Sequence, residues 1–214
     1  MIKNMKVLLI NGSANENGCT FTALSEVEKA LHEEGVETEI FQLGSEAVRG
    51  CTGCGACFKM KKNRCVHDDD AVNRCLEKCE TADGFVFGSP VHYASAGGSI
   101  TSLMDRMFYS GSRLMRGKPA CAVVSARRAG TTAALDQLQK YFTISGMPIA
   151  TSQYWPMVHG NTPEEVMQDE EGLQIMRHLG RNLAWMMKSF AIAREQGILP
   201  PAPEKEKKRT NFIR

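Results

Sequence analysis

Short apolar runs alternate with longer amphipathic stripes along most of the chain. Residues 7–10 form a continuous apolar run, which is typical of a strand covered on both faces. The apolar residues of 21–31 then recur at steps of three and four, the period of a helix that ends near Gly35. The same criteria predict further strands at 36–42, 84–88, 120–124 and 148–154, and helices around 72–79, 100–107, 135–142 and 173–190.

The regular succession of strand and helix implies parallel strands joined by right-handed crossovers. This is a doubly wound α/β sheet with helices on both faces. Five predicted strands suit the shorter, flavodoxin-like strand order 2-1-3-4-5, in which ligands bind beyond the carboxyl ends of the strands. We predict a single domain over 1–199 that carries a cysteine-rich loop insertion at 50–68, followed by a loosely ordered tail at 200–214.

The composition is that of a globular domain and excludes several other classes of protein. The chain has 214 residues, of which 43% are hydrophobic and 23% charged, and its net charge is +2. That balance argues against a protein that coats nucleic acid. No apolar run approaches the roughly 20 residues of a membrane helix. We therefore expect a cytoplasmic protein without nucleic-acid or membrane partners, whose eight cysteines are not paired as disulfides.

The loop after the first strand is rich in neutral hydrogen-bond donors and opens onto a helix, whose positive end attracts anions. A Walker A loop would need Lys after its last glycine, whereas Cys19 follows Gly18, and the three-glycine dinucleotide fingerprint is absent. The loop therefore indicates a site for one terminal phosphate, or else a plain polar turn with an N-cap. The candidate phosphate-binding residues are Ser13, Asn15, Asn17, Gly18, Cys19 and Thr20.

The loops after the third and fourth strands contain small residues that would let a flat ligand approach the backbone. Pro90 cannot continue a central strand, so we expect it to force a turn at the carboxyl edge of the sheet. We interpret His92 as a loop packing residue rather than a proton donor, and Asp105 with Arg106 as a structural pair. The candidate contacts of a flat ring are Pro90, Val91, His92, Tyr93, Ala94, Ala126, Arg127, Arg128 and Gly130.

A cysteine-rich loop separates the second strand from the next helix. Cys51, Cys54 and Cys57 follow a C-x2-C-x2-C spacing, and Cys65 comes after seven further residues. Such a spacing lets three thiols converge on one [4Fe-4S] cluster that the fourth closes. Zinc is an alternative, although zinc sites usually pair two separate knuckles, and free thiols are another. The remaining cysteines of the predicted elements are interpreted as core residues: Cys75, Cys79 and Cys121.

Three segments together resemble the NAD(P)H-dependent FMN reductases of the flavodoxin-like superfamily. They are the loop at 12–20, the Ser-Pro-Val-His-Tyr run at 89–93 with the Asp-Arg pair at 105–106, and the stretch 180–184. With the cysteine loop added, the chain resembles the iron-sulfur flavoprotein branch of that family, whose cluster motif matches the four cysteines. Three positions depart from the usual pattern: Cys19 replaces an Asn, His92 replaces a Tyr, and Ser102 replaces a basic residue.

The resemblance implies an FMN-dependent oxidoreductase. FMN phosphate would bind to the loop after the first strand, and the ring would rest on the backbone of 90–94 and 126–130. NAD(P)H is the expected co-substrate, passing hydride to the flavin without a catalytic side chain, and the acceptor would be a flavin, a quinone or a protein. The resemblance further implies a homodimer or homotetramer. His159 and Asn161 are candidate neighbours of the pocket.

Two other functions remain open at this point. One is an electron carrier with FMN and a cluster that does not use NAD(P)H directly. The other is a zinc-binding, non-catalytic module, in which the phosphate-type loop would have no role. A phosphotransferase is disfavoured because the loop after the first strand lacks the lysine that such enzymes use.

Overall fold

The computed structural model describes residues 4–202, 204, 206, 208 and 210. Within them, strands and helices alternate as the apolar pattern predicts. The strands are β1 Lys6–Asn11, β2 Glu37–Gln42, β3 Gly84–His92, β4 Ser95–Ala96, β5 Ala120–Ala126 and β6 Met157–His159. The helices are α1 Cys19–Glu33, α2 Ala56–Met60, α3 Ala71–Cys79, α4 Gly98–Met115, α5 Thr131–Ile144, α6 Pro163–Val166 and α7 Glu170–Glu195.

Five of the strands form one parallel sheet in the order β2-β1-β3-β5-β6, and β4 pairs antiparallel with the end of β3. Apart from the added β4, this is the predicted flavodoxin-like order. Asn11 lies opposite both Gln42 and Gly88 in the register, so the carboxyl ends of β1 and β2 lie beside the end of β3 at one edge of the sheet. From β1 the chain adds β2 on one side, and from β3 it adds the later strands on the other side, so the strand order reverses between β1 and β3. Folds of this kind bind ligands beside the loops that follow the two strands at such a reversal.

Helices cover both faces of the sheet, and alternate residues of each strand face opposite cores. Leu8 and Ile10 of β1 pack in a cluster with α3, α4 and α5, whereas Val7 and Leu9 pack in a cluster with α1 and α7. All four side chains are fully buried, as expected of a central parallel strand. Gly180 allows close packing of α7 on α1, because an added Cβ there would lie 2.8 Å from the carbonyl oxygen of Val27.

The predicted fifth strand at 148–154 is wrong in position. Only Ile149 forms a bridge, to Ala120, and the edge strand is instead the three-residue β6 at Met157–His159. Between them the chain carries the exposed, mutually packed Tyr154 and Trp155. The apolar character of this segment therefore reflects packing at the end of the sheet, not continuous pairing.

The predicted turn at Pro90 is also wrong. The strand continues through Pro90, which lies opposite Ser125 of β5, and ends only at His92. The Pro90 carbonyl takes part in the hairpin with β4, accepting the Gly97 amide at 3.2 Å. The turn comes at Tyr93 and Ala94, which have φ of +50° and +58° and lead into β4.

The cysteine-rich loop contains the short helix α2, which the sequence pattern did not predict. Cys75, Cys79 and Cys121 are buried, as expected of core residues. Of the tail predicted to be loosely ordered, residues 203, 205, 207, 209 and 211–214 lie outside the described part of the chain. Pro200 and Pro201 line a cavity with Gly117 and Phe190.

Candidate functional site

Three loops meet at the carboxyl edge of the sheet. The loop after β1 joins β3 through Gly12, whose amide donates to the carbonyl of Gly88 at 2.9 Å. The loop after β5 packs against the β3–β4 turn so closely that an added Cβ at Gly130 would lie 2.6 Å from the Cα of Ala94. The fold therefore brings the candidate residues of all three loops to one edge.

Two buried or half-buried amide side chains shape the loop after β1. The Asn11 side chain donates to the Gln42 side chain at 2.6 Å and accepts from the Ser13 amide at 3.2 Å. Gln42 in turn donates to the carbonyl of Ser13 at 2.8 Å. Neither residue was predicted from the sequence, although each is the polar last residue of its strand.

The start of α1 leaves backbone donors available to an anion. Gly18 is the N-cap residue and has an extended backbone. Within the described residues, no side chain caps the first amides of the helix, and the first turn carries no acidic residue. The first amides of a helix have no intrahelical acceptor and lie at the positive end of the helix dipole. Ser13 is buried, with its hydroxyl accepting the Asn15 amide at 3.1 Å, whereas Asn15 and Asn17 are exposed.

Two candidate phosphate-binding side chains contact other parts of the chain. The Thr20 hydroxyl is 2.8 Å from the Ser125 hydroxyl, which joins α1 to the end of β5. The Cys19 thiol donates to the Gly160 carbonyl at 3.6 Å. Burial, followed by the nearby Glu165 and Glu164 carboxylates, raises the pKa of Cys19, so this thiol stays protonated at neutral pH.

The segment after β6 lies beside the start of α1, because Gly160 is the acceptor of the Cys19 thiol. The His159 amide donates to Asp169 at 2.7 Å, and the Asn161 amide donates to Glu165 at 2.6 Å. These contacts hold the backbone of both residues near the candidate loop.

The β3–β4 turn presents an aromatic ring to solvent. Tyr93 is fully exposed, and its left-handed backbone is uncommon for a non-glycine residue. The side chain of Gln137 in α5 fixes the turn, accepting from the Ser95 hydroxyl at 2.8 Å and from the Ala96 amide at 3.0 Å. In the neighbouring loop Arg127 and Arg128 are exposed, whereas Ala126 is buried.

A second site lies in the cysteine-rich loop. Cys51, Cys54, Cys57 and Cys65 all line one cavity, which Arg106 also borders. Cys51 and Cys54 are exposed, and the other two are half-buried. Within the described residues, no three Cys, His, Asp or Glu side chains are grouped closely enough for a single metal ion. The four thiols thus surround a shared space without converging on one point.

The thiols of this cavity differ in their electrostatic environment. The Ala56 amide and then the Thr52 side chain hydrogen-bond the Cys54 sulfur and lower the pKa of that thiol. Burial instead raises the pKa of Cys57. The exposed cysteine is therefore the more readily ionised of these two, and thiolate is the form that binds metal.

Arg106 anchors the cysteine-rich loop to α4. Its side chain is 1% exposed, and its guanidinium pairs with the buried Asp70 carboxylate. The guanidinium also donates to the His67 carbonyl at 2.7 Å and to the Cys65 sulfur at 3.3 Å. Burial lowers the pKa of Arg106, but the hydrogen bonds to Cys65 and Asp70 outweigh it and raise the pKa overall.

The predicted pairing of Asp105 with Arg106 is therefore wrong. Asp105 accepts the Tyr141 hydroxyl at 2.6 Å, and the cation of the next residue points to the other side of α4. Adjacent helical positions face different directions, so a local pair was geometrically disfavoured. The true partner, Asp70, also caps α3 by accepting the Val72 amide at 3.1 Å. A buried partner so far along the chain leaves no local signal.

No described helix is both long and apolar enough to cross a membrane.

A parallel sheet of this order, with a loop after β1 that leads into the start of α1, defines the flavodoxin-like class. The family model for NADPH-dependent FMN reductases matches residues 5–162. The chain belongs to this family and is an FMN-dependent oxidoreductase. The resemblance stated from the sequence motifs is thereby confirmed.

Relatives and solved structures agree with this assignment. An iron-sulfur flavoprotein of Methanocaldococcus jannaschii is 33% identical over 86% of this chain and 98% of the relative. An iron-sulfur flavoprotein of Archaeoglobus fulgidus is 31% identical over 78% of this chain and 83% of the relative. An NAD(P)H:quinone oxidoreductase from Methanothermobacter marburgensis has the same fold, with a TM-score of 0.64 at 17% identity over 84% of this chain and 97% of that one.

Proposed function

We propose that the chain passes electrons from NAD(P)H, through FMN and one [4Fe-4S] cluster, to a flavin, quinone or protein acceptor. The observation that carries the proposal is that all four cysteines of the motif line one cavity in a chain that belongs to an FMN-dependent family. The name of the relatives, iron-sulfur flavoprotein, supports the same combination.

The residues at the sheet edge fit FMN. The amides at the start of α1, with the buried Ser13, would hold the phosphate, because they are donors at the positive end of a helix. The backbone of 90–94 and 126–130 would support the ring. Bound FMN supplies the exchange of hydride and of single electrons, and the chain contributes position and electrostatics. No side chain needs to act as an acid or base in this scheme.

The residues of the cysteine-rich loop fit a cluster better than a single zinc ion. Zinc draws four ligands to about 2.0–2.3 Å from one point, whereas these thiols line a shared cavity and no three are grouped for one ion within the described residues. Thiolates are the ligands that iron-sulfur clusters use. We therefore propose Cys51, Cys54, Cys57 and Cys65 as the cluster ligands.

We also propose that the protein acts in the cytoplasm as a homodimer or homotetramer. Four thiols that must stay reduced to bind a cluster favour a reducing compartment. The expected redox partner is a small molecule or a protein, with neither nucleic acid nor membrane involved.

The test is a visible spectrum of protein purified without oxygen, with iron, sulfide and zinc analysis. We expect flavin bands and a broad brown shoulder that is lost in air. Flavin bands without iron would show that the protein binds FMN and holds no cluster. Zinc in place of iron would overturn the assignment of the four cysteines as cluster ligands. Failure to retain added FMN would overturn the proposal as a whole.

A second measurement tests the electron donor. Anaerobic addition of NADH or NADPH should bleach the flavin bands within the time of one turnover. Protein that is bleached by dithionite and by neither nicotinamide would be an electron carrier without direct NAD(P)H use, and the donor assignment would be wrong.

A further inference from the structure

One cysteine of the cavity, Cys65, is held by two buried side chains from neighbouring helices. Asn73, itself buried, fixes the backbone of Cys65 on both sides: its side chain accepts the Cys65 amide at 2.8 Å and donates to the Cys65 carbonyl at 3.0 Å. The Nε–H of Arg106 donates to the Cys65 sulfur at 3.3 Å. Cys51 and Cys54, by contrast, are exposed.

The direction of the Arg106 side chain is not explained by its ion pair alone. Asp70 already balances the charge, and the carbonyls of Arg49 and His67 accept from the two terminal nitrogens at 3.2 and 2.7 Å. The third nitrogen, Nε, directs its N–H at a sulfur that lines the four-thiol cavity. All three guanidinium nitrogens are thus fixed by hydrogen bonds, which pins the group in one orientation.

We propose that Arg106 is a positioning residue for the cluster: it fixes Cys65 in place and stabilises the reduced state through an N–H···S hydrogen bond. This inference rests on the proposed function. Reduction adds one electron to the cluster, and the added negative charge spreads over the iron and sulfur atoms. A buried N–H group that donates to a ligand sulfur interacts more strongly with the more negative state, so it raises the reduction potential.

Arg106→Lys tests the proposal because lysine keeps the charge but lacks the planar fork. Anaerobic redox titration of the holoprotein is expected to show about a tenfold lower ratio of reduced to oxidised cluster at a given potential, which is about 59 mV for one electron. The flavin potential and the FMN content should stay unchanged. Arg113→Lys is the matched control: it makes the same change on the same helix at an exposed position and should shift neither potential.

A measurement on the unaltered protein keeps the test decisive if the variant is poorly folded. Pulsed EPR of the reduced protein, made with isotope-labelled arginine, should show a nitrogen coupling from the guanidinium to the cluster. Its presence in the wild type and loss in Arg106→Lys supports the hydrogen bond. A variant that binds FMN but holds no iron also supports the positioning role.

Two outcomes separate the failure of this inference from the failure of the proposed function. Wild-type protein that assembles no cluster would overturn the proposed function, and the role of Arg106 with it. A wild-type cluster without arginine coupling, or an unchanged potential in an iron-loaded Arg106→Lys protein, would overturn the role of Arg106 alone.

Discussion

The sheet edge and the cysteine-rich loop are organised by different means. At the edge, each loop directly follows a strand, and neighbouring residues of the register, such as Asn11 and Gln42, shape it. The cysteine-rich loop is instead held by buried side chains of two helices: Asn73 of α3 fixes the backbone of Cys65, and the Arg106 guanidinium of α4 binds its sulfur. Strand ends thus position the candidate FMN loops, whereas Cys65, the last of the four cysteines, is positioned by buried side chains of α3 and α4 and by the ion pair between Arg106 and Asp70.

Replacing one motif cysteine should have the strongest effect, because it should remove the cluster and leave FMN bound. Cys54→Ser should abolish the iron-sulfur shoulder and leave the flavin bands, because a serine hydroxyl is a poor substitute for a thiolate ligand of iron. Cys19→Ser, at the other region, is the control and should leave iron at the wild-type level. Absorption spectra and iron analysis of anaerobic protein give the answer; wild-type iron in Cys54→Ser would show that the ligand assignment is wrong.

The next effect tests the dependence on the ion pair. Asp70→Ala leaves the buried Arg106 cation unpaired and uncaps α3, so we expect a loss of about 3–5 kcal/mol in the free energy of unfolding. Denaturant unfolding measures it. The neighbouring Asp69→Ala removes only an exposed pair with Arg49 and should leave the midpoint unchanged. Equal midpoints for the two variants would show that the buried ion pair does not stabilise the fold.

A smaller effect is expected at the sheet edge. Gly130 has φ +95°, and an added Cβ would clash with the Cα of Ala94, whereas Gly35 has φ +74° and open space around it. Both Gly→Ala changes carry the backbone cost, but Gly130→Ala should cost about 1–3 kcal/mol more through overpacking. It should also weaken FMN retention, measured by flavin release on dilution. Wild-type retention would argue against this loop as part of the ring site.

The last and weakest effect is a difference in alkylation rate between one thiol of each region. In metal-free protein treated with iodoacetamide at pH 8, mass spectrometry should find Cys51 modified before Cys19. Cys51 is exposed, and the pKa of Cys19 is raised above its ordinary value of 9.0, so less thiolate is present at that pH. The Cys19 rate should rise as the pH passes 9. A faster reaction at Cys19 than at Cys51 would contradict the described burial.

The sequence predicted the parallel sheet and the loops at its edge because both follow from local periodicity and from where strands end. It failed at 148–154, since a single bridge at Ile149 and a three-residue strand give no periodic signal. It also misassigned the partner of Arg106. The contact with Asp70 joins distant parts of the chain, and only tertiary packing brings such groups together.

The position of Arg106 in the chain has a consequence for biosynthesis. It lies 41 residues after the last motif cysteine, so the ribosome has synthesised all four cysteines before it makes the guanidinium that binds the Cys65 sulfur. Until α4 emerges, the Asp70 carboxylate is available to cap α3 but has no guanidinium to bind. Loading of iron and sulfide is thus expected to follow translation of α4, and a nascent chain that stalls before residue 106 should remain a poor acceptor for cluster delivery.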